Sequence, residues 1–235
     1  MTTIYAVSLM DEGLFEHIRP QALQLLPEAA RHKISQFVRS DDAQRSFWGE
    51  LLSRYLMTRE TGTEFPDQAF TTGSKGKPFH EGFNGKYFNI SHSGAWVVVA
   101  VSDTIVGVDV EKIKKVPEGV AVRFFSMPEN EMLQHAENET EKADIFFTLW
   151  TLKESFLKAT GKGLTKSLGS FSVQRSGQGR YILSGDPEAE GYFLKNYHFY
   201  EGYKLSACSM TDDFGSEVTE IDKSVLLNQA GIPYL

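Results

Sequence analysis

The order of secondary-structure signals along this chain occurs twice. Apolar residues recur at helical spacing within 11–60 and again from about 127 to 161. Each helical block is followed by a Gly-Lys pair, at Gly76-Lys77 and at Gly161-Lys162, and then by runs with strand composition. Blocks of helices followed by blocks of strands are typical of an α+β fold. We therefore expect two similar α+β units, with a ligand cleft between the halves.

Three short apolar runs follow the first helical block. They read K-Y-F-N-I, W-V-V-V-A-V and I-V-G-V-D-V, with the turns S-H-S-G and S-D-T between them. Short runs rich in β-branched and aromatic residues, separated by turn residues, are typical of strands. The pattern predicts a meander of three β-strands. A second β region is expected over 171–209, and the stretch after 211 indicates nothing specific.

The composition excludes several classes of protein. The net charge of −7 over 235 residues gives no general attraction for nucleic acid, whose binding proteins carry a basic excess. The single cysteine, Cys208, excludes an intrachain disulfide and a multi-cysteine zinc site, and we expect it to be a buried thiol. The first residues lack the features of a signal peptide, and the apolar run at 96–101 is far too short to span a membrane. We expect a cytoplasmic protein that binds neither nucleic acid nor membrane.

Two carboxylates lie close together in the segment Gly107-Val108-Asp109-Val110-Glu111. Because side chains alternate along a strand, Asp109 and Glu111 share one face while the valines face the core. Such a pair repels unless water solvates it or a cation bridges it, and ligation by oxygen alone favours Mg²⁺ or Mn²⁺ over zinc. The glycine would leave room for a ligand. The alternative is an ordinary solvated strand face at the end of a sheet.

The helix that ends at Gly161 carries charged residues beside its apolar stripe. The stripe runs from 146 to 160 with the spacing of a core-facing helix, and Lys153 interrupts it. Glu154 and Lys158 lie four residues apart on the flank of the stripe, so a carboxylate and an ammonium group project together. Gly161 is suited to end the helix in the left-handed conformation. The alternative is an amphipathic helix with a surface ion pair.

Cationic residues elsewhere add an anion-binding character. His92 lies in the polar turn S-H-S-G, where hydroxyl and backbone N–H groups can hold a phosphate oxygen. Arg45 lies on a helix, and Lys75 and Lys77 lie in a loop that contains glycine. Each of these residues alone is typical of a solvated surface. Together with three carboxylates and a helical lysine, they indicate a site for a metal-bound pyrophosphate that carries a further phosphate.

Four motifs are specific when they occur together. They are F-N-I-S-H-S-G at 88, V-G-V-D-V-E at 106, R-F-F-S at 123 and W-T-L-K-E-S-F-L-K-A-T-G-K-G-L at 150. In this order and spacing the chain resembles the 4'-phosphopantetheinyl transferases, of the larger monomeric type that activates surfactin and similar synthetases. The resemblance covers residues 3–210 approximately. It implies a monomer of pseudo-twofold architecture, with subdomains 1–105 and 106–235 and the active site at their interface.

The resemblance assigns the acidic residues to a metal and the basic residues to coenzyme A. Asp109, Glu111 and Glu154 match the acids that hold Mg²⁺ against the pyrophosphate of coenzyme A, and Mn²⁺ is the alternative ion. Lys158 matches the lysine that contacts this pyrophosphate. Arg45 and His92 match residues around the adenosine 3'-phosphate, and Lys77 matches a residue at the adenine end. Ser91 and Lys75 are further expected contacts to coenzyme A.

One segment departs from the family pattern. Relatives place two lysines on an early helix, near residue 30, to bind the 3'-phosphate. This chain has Ala29 and Ala30 there, and only Lys33, helped by Arg31, can take that role. We therefore expect an affinity for coenzyme A that differs from that of the relatives.

The implied reaction transfers the 4'-phosphopantetheine arm of coenzyme A to a serine of a carrier-protein domain and releases adenosine 3',5'-bisphosphate. The acceptor would be a peptidyl or acyl carrier protein of nonribosomal peptide or polyketide synthesis. Glu154 is the expected base for the serine, with Glu129 and a metal-bound water as alternatives. Carrier docking is expected on Lys115, Val116, Val120 and Phe124, although this segment could also be a plain linker.

Two other functions stay open on the residues alone. One is a catalytically inert nucleotide-binding module with the same fold, against which the intact acids and Lys158 argue. The other is a structural α+β protein whose charges only solvate its surface. If the chain is a structural protein, Asp109→Ala should leave coenzyme A binding unchanged. If it is an enzyme, the same substitution should abolish phosphopantetheine transfer.

Overall fold

The computed structural model describes residues 1–62, 71–72, 78–79, 85–116, 119–161, 163, 167–177 and 179–232. Its helices are α1 (Glu12–Gln24), α2 (Glu28–Ser35), α3 (Ser40–Thr61), α4 (Val120–Phe124), α5 (Met127–Gln134), α6 (Glu139–Thr160) and α7 (Lys223–Gln229). Its strands are β1 (Thr2–Ser8), β2 (Thr71–Thr72), β3 (Pro78–Phe79), β4 (Tyr87–Ser93), β5 (Trp96–Ser102), β6 (Val106–Lys112), β7 (Ser172–Gly177), β8 (Arg180–Ser184), β9 (Phe193–Tyr197), β10 (Tyr203–Ser209) and β11 (Phe214–Glu220). None of these helices has the length and apolar content needed to cross a membrane.

Two sheets of matching topology form the centre of the molecule. The first has the order β11-β1-β5-β4 and the second the order β6-β10-β9-β8-β7. In each half, the first strand pairs antiparallel with the last strand, which in turn pairs antiparallel with the strand before it: β1-β5-β4 in one half and β6-β10-β9 in the other. The expected duplicated α+β fold is confirmed.

Helices and sheets form four layers, with a helical layer outside each sheet, and the buried residues form three cores between the layers. On β5, Val97 and Val99 face the core beneath α3, whereas Val98 faces the core between the two sheets. Val108 of β6 enters the same central core from the second sheet. This alternation follows from the two-residue period of a strand and explains why W-V-V-V-A-V is apolar throughout. On the far side of the second sheet, Phe156 of α6 belongs to a third core.

The two long helices end alike. α3 and α6 are each 22 residues long. They are followed by Gly62 at φ 71° and Gly161 at φ 67°, both in the left-handed region that glycine adopts without steric cost. The predicted cap at Gly161 is confirmed.

Strand β6 is not the third strand of a meander. It leaves the first sheet after β5 and pairs with β10, with Asp109 opposite Ser206 and Val108 opposite Ala207. The three-strand meander is therefore wrong. An alternating pattern identifies a strand and its buried face, but the choice of partner depends on residues about a hundred positions away.

The segment after 211 returns to the first half. β11 lies parallel to β1, and Leu226 and Leu227 of α7 pack in the core beneath α3. The second subdomain was expected to span 106–235. In the structure, however, the residues from β11 onward pack with the first sheet and its helices. A parallel partner at the opposite end of the chain leaves no local signal in the sequence.

Candidate functional site

The two halves meet along the edges of β4 and β6. Side chains at every second residue of β4 accept hydrogen bonds from backbone N–H groups at every second residue of β6. The bonds run from Val108 N to Asn89 Oδ1 (2.9 Å), from Val110 N to Ser91 Oγ (3.3 Å) and from Lys112 N to Ser93 Oγ (3.1 Å). Side chains of one half thus satisfy N–H groups that an edge strand would otherwise leave unpaired.

The serines of this edge also bind the carboxylates predicted from the sequence. Ser91 Oγ donates to Asp109 Oδ1 at 3.0 Å, and Ser93 Oγ donates to Glu111 Oε2 at 2.7 Å. Lys158 of α6 completes the group, with its Nζ 2.6 Å from Asp109 Oδ1 and 2.8 Å from Ser91 Oγ. Asp109, Glu111 and Lys158 are therefore brought together, as expected.

Gly107 allows α6 to approach β6 closely. A Cβ atom at this position would overlap the carbonyl oxygen of Ser155 and the backbone nitrogen of Ala159. The expectation that this glycine makes room for a ligand is corrected, since the room is filled by helix backbone. Close contact here holds Glu154 and Lys158 of α6 beside the acids of β6.

Replacing Gly107 by alanine is expected to lower the free energy of unfolding by about 1–3 kcal/mol, because the backbone of α6 must move to admit a methyl group. Gly49→Ala is the matched control, since a Cβ there would meet Ile90 and Val97 at ordinary distances of 3.7 and 3.8 Å. In that helical position alanine should be neutral or stabilising. Urea unfolding of both variants tests the prediction, which fails if Gly107→Ala is as stable as Gly49→Ala.

A cleft of about 360 Å³ opens beside these residues. Its lining combines acids, bases and two large aromatic rings: Ile90, Ser91, His92, Asp109, Glu111, Phe124, Trp150, Glu154 and Lys158. The rings of Phe124 and Trp150 pack edge to face, with centroids 5.6 Å apart. The cleft therefore has a charged floor and an apolar wall.

The acids of the cleft are held in an environment that disfavours charge. Burial, together with the nearby charge of Asp109, raises the pKa of Glu154 to about 7. Burial also raises the pKa of Glu111 above its ordinary value. A carboxyl group with a pKa near neutrality can hold or release a proton at physiological pH.

Two carboxylate oxygens in the cleft have unused acceptor capacity. Asp109 Oδ2 and Glu154 Oε1 are buried and have no hydrogen-bond partner among the described residues. Buried acceptors are rarely left unpaired unless an ion, a water molecule or a ligand engages them. In the part of the chain that the structure describes, no three acidic, histidine or cysteine side chains are close enough together to hold a metal ion as they stand. Lys158 instead occupies the other oxygen of Asp109.

His92 marks a positively charged end of the cleft. It lies within β4 and not in the predicted turn, which comes at Gly94. Desolvation, followed by the charges of Lys158 and Arg45, lowers the pKa of His92, and Lys33 contributes to the same effect. Arg45 is held by two bonds, from Nη1 to Gly94 O (2.7 Å) and from Nη2 to Asp42 Oδ1 (2.6 Å).

The other predicted coenzyme A contacts do not line the cleft in the described residues. Lys33 is exposed on α2, whereas Arg31 donates to Gln24 Oε1 on the neighbouring helix. Lys75 and Lys77 lie outside the described residues. Lys33, Arg45 and Lys158, from three different helices, all act on His92 by lowering its pKa.

Glu129 does not belong to this cleft. It is 1% exposed, and its Oε2 lies 2.6 Å from Nζ of the fully buried Lys153. The same carboxylate accepts from the backbone N–H groups of Ser126 and Val173. The geometry therefore does not support Glu129 as an alternative base, because it does not line the cleft and its carboxylate is engaged by Lys153 and two backbone N–H groups. Its position closes the capping box at the start of α5.

Lys153 is explained by this pair. Besides Glu129, its ammonium group donates to the carbonyl oxygens of Leu168 (2.7 Å) and Phe171 (2.6 Å). It also lies over the Phe171 ring, 4.6 Å from the centroid. Lys153 thus joins α6 to α5 and to the chain before β7, and it makes no contact with the cleft.

Of the four residues expected to dock a carrier protein, one lines the cleft and two line another groove. Phe124 is part of the cleft wall, and Val120 packs against the core of the second half. Lys115 and Val116 line a neighbouring groove of about 430 Å³. Two apolar side chains were not predicted there, Val122 at 75% and Met127 at 76% exposure.

Trp150 lines the cleft and Ser93 binds the cleft residue Glu111, and the sequence identified neither role. The hydroxyls flanking His92 were expected to cradle a phosphate, yet both donate to carboxylates. A signal was present, since S-x-S and D-x-E share the two-residue period of strands. It could be read only once β4 and β6 were known to be neighbours.

Comparisons with known proteins identify relatives of both halves. A family model described as "4'-phosphopantetheinyl transferase superfamily" matches residues 105–208, and one described as "4'-phosphopantetheinyl transferase, N-terminal" matches residues 16–104. The chain is 34% identical over 224 residues to the 4'-phosphopantetheinyl transferase Sfp of Bacillus subtilis, covering 95% of this chain and 99% of that one. It is 34% identical over 211 residues to 4'-phosphopantetheinyl transferase psf-1 of Bacillus pumilus, covering 88% and 89%. The solved holo-[acyl-carrier-protein] synthase of Thermotoga maritima aligns with a TM-score of 0.37 and 22% identity, covering 45% of this chain and 61% of that one.

Proposed function

The chain belongs to the 4'-phosphopantetheinyl transferase superfamily, and on this premise we propose that it transfers the phosphopantetheine arm of coenzyme A to a carrier-protein serine. The serine oxygen forms a bond to the phosphorus that carries the pantetheine arm, and the pyrophosphate P–O bond breaks. Adenosine 3',5'-bisphosphate leaves with the bridging oxygen. The observation that carries this proposal is the convergence of Asp109, Glu111, Glu154 and Lys158 on one cleft.

Asp109, Glu111 and Glu154 would hold Mg²⁺, or Mn²⁺, at the floor of the cleft. The buried oxygens Asp109 Oδ2 and Glu154 Oε1 support this role, because hard divalent ions prefer carboxylate oxygens. When bound, the ion neutralises the pyrophosphate and polarises its oxygens. Lys158 contacts the same pyrophosphate and stabilises the charge that develops on the leaving phosphate.

Glu154 is the proposed base for the acceptor serine. Without the ion its pKa is about 7, and it is the ionised carboxylate, which a bound cation favours, that can take a proton from a hydroxyl. Phe124 and Trp150 form an apolar wall beside Glu154.

The cationic end of the cleft is the proposed place of the 3'-phosphate. Arg45 and His92 are positioned there by α3 and β4, and Lys33 supplies further positive charge. Ser91 is a contact from the same strand. Lys75 and Lys77 are proposed to approach the adenine, although they lie outside the described residues.

The carrier protein is proposed to dock beside Phe124. Lys115, Val116 and Val120 supply one basic and two apolar side chains, and the exposed Val122 and Met127 extend this surface. Carrier domains are typically acidic and the chain is acidic as well, with a net charge of −7. Docking is therefore proposed to depend on apolar contacts with local help from lysine, and the enzyme to act as a cytoplasmic monomer.

The direct test is a transfer assay with Mg²⁺, coenzyme A and a panel of apo peptidyl and acyl carrier proteins. Mass spectrometry should show the gain of one phosphopantetheine arm on at least one carrier, and chelation of the metal should abolish the gain. A protein that binds coenzyme A but modifies no carrier in the panel would contradict the proposal and favour an inert binding module.

Metal binding is expected to depend on pH through Glu154. A carboxyl with a pKa of about 7 is mostly ionised at pH 8 and mostly protonated at pH 6, so Mg²⁺ affinity should fall by roughly tenfold between these values. Calorimetric titration with the ion alone measures the effect. In Glu154→Gln the remaining affinity should change much less with pH, and an equally steep change there would refute the assignment.

A further inference from the structure

We propose that Ser93, together with Ser91, is a positioning residue of the first half that orients the metal-binding carboxylates of the second half. The inference rests on the proposed metal site at Asp109 and Glu111. It assigns Ser93 a role through Glu111, with no contact to the reacting atoms required. The first half then contributes the serines that orient the metal-binding acids, in addition to residues that contact the substrate.

The hydroxyl of Ser93 has its orientation fixed. Its oxygen accepts the backbone N–H of Lys112 at 3.1 Å and donates to Glu111 Oε2 at 2.7 Å. A serine hydroxyl has one proton to donate. The backbone N–H of Lys112 occupies one lone pair of the Ser93 oxygen. The hydroxyl proton is therefore directed to the carboxylate of Glu111.

The same arrangement recurs one step along the strand. Ser91 Oγ accepts the N–H of Val110 at 3.3 Å and donates to Asp109 Oδ1 at 3.0 Å. Each serine thus contacts both a backbone N–H and the carboxylate of the residue before it. Both acids are held through bonds to β4, and the two-residue period of β4 sets their spacing. Partners of this kind usually contribute a factor of about 10 to 100 in metal affinity.

The strand that carries Ser93 is itself held from both halves. Gly94 follows at φ 56°, and a Cβ atom there would overlap the hydroxyl of Tyr203. Tyr203 Oη accepts the N–H of Ala95 at 2.9 Å, and Arg45 donates to the carbonyl of Gly94 at 2.7 Å. The chain on the C-terminal side of Ser93 is therefore anchored by β10 and α3, as a positioning role requires.

The test measures the affinity for Mn²⁺ alone, by electron paramagnetic resonance of the free ion, in Ser93→Ala and Ser93→Thr. We expect Ser93→Ala to bind Mn²⁺ about 10-fold more weakly. Ser93→Thr keeps the hydroxyl and should bind close to the wild-type affinity. If Ser93→Ala does not fold, Ser93→Cys, which keeps only a weak donor, is measured in its place and should also bind more weakly.

Asn89→Ala is the matched control for the junction between the halves. It removes the bond to the N–H of Val108, but Asn89 donates to neither acid, so this variant should lose stability and keep its Mn²⁺ affinity. Equal weakening in Asn89→Ala and Ser93→Ala would overturn the inference, because a loosened junction would then explain both. Glu111→Gln separates the two proposals. If it leaves Mn²⁺ binding intact, the metal site itself is wrong, whereas if it weakens binding and Ser93→Ala does not, only the role of Ser93 is wrong.

Discussion

Replacing Asp109 by asparagine is expected to reduce kcat/KM for phosphopantetheine transfer by about 10³-fold or more. Asp109 is 4% exposed and bonds to Lys158 Nζ at 2.6 Å. The neutral amide keeps the shape of the carboxyl group but removes the charge that would bind a cation and orient Lys158. The loss should fall on the chemical step, since the amide still fits between Ser91 and Lys158.

The measurement is the rate of carrier modification at saturating Mg²⁺, together with a thermal melt to show that the variant is folded. Asp144→Asn is the control, because Asp144 is also ion-paired, with Lys204 at 2.6 Å, but is 57% exposed and outside the cleft. We expect its activity to be unchanged. A folded Asp109→Asn enzyme with near wild-type turnover would remove the basis of the proposed mechanism.

Replacing Lys153 by alanine is expected to cost about 3–5 kcal/mol of unfolding free energy. Lys153 and Glu129 are 0% and 1% exposed, so the substitution leaves a buried carboxylate without its ion partner. The carbonyl oxygens of Leu168 and Phe171 lose a donor as well. The loss should be partly reversed in the double variant Lys153→Met with Glu129→Gln, which removes both charges.

Urea unfolding measures this difference, and Lys204→Ala is the comparison. The Lys204 pair has the same 2.6 Å separation, but its partner faces solvent, so its loss should cost no more than about 1 kcal/mol. If the two alanine variants lose a similar amount of unfolding free energy, burial of the Lys153–Glu129 pair does not make it more important for stability than an exposed pair.

Much of the candidate site could be predicted because its residues follow local periods. The two-residue period of a strand places Asp109 and Glu111 on one face. The spacing of four in a helix places Glu154 and Lys158 side by side. Both expectations agree with the cleft, which contains all four residues. These periods depend only on the backbone of one element, so neighbouring residues are sufficient to define them.

The misassigned residues are those whose role depends on another element. Gly107 was expected to face a ligand and instead faces the backbone of α6. Glu129 follows a recognised motif and was a candidate base, yet its carboxylate is buried against Lys153. In both cases the residue type was informative. Its partner was decided by the packing of α6, through Lys153 for Glu129 and through Ser155 and Ala159 for Gly107.

The sequence by itself determined the helical blocks within 11–60 and 127–161, most strands, their buried faces and the acidic and basic residues that share a face, since each of these follows from contacts within a few residues. Only the tertiary structure decided that β6 leaves the first sheet, that β11 returns to it, and that Ser91 and Ser93 bind the acids of the other half. Strand pairing and side-chain partners across an interface depend on residues distant in sequence. Many registers satisfy the same local pattern, and the packed core selects one of them.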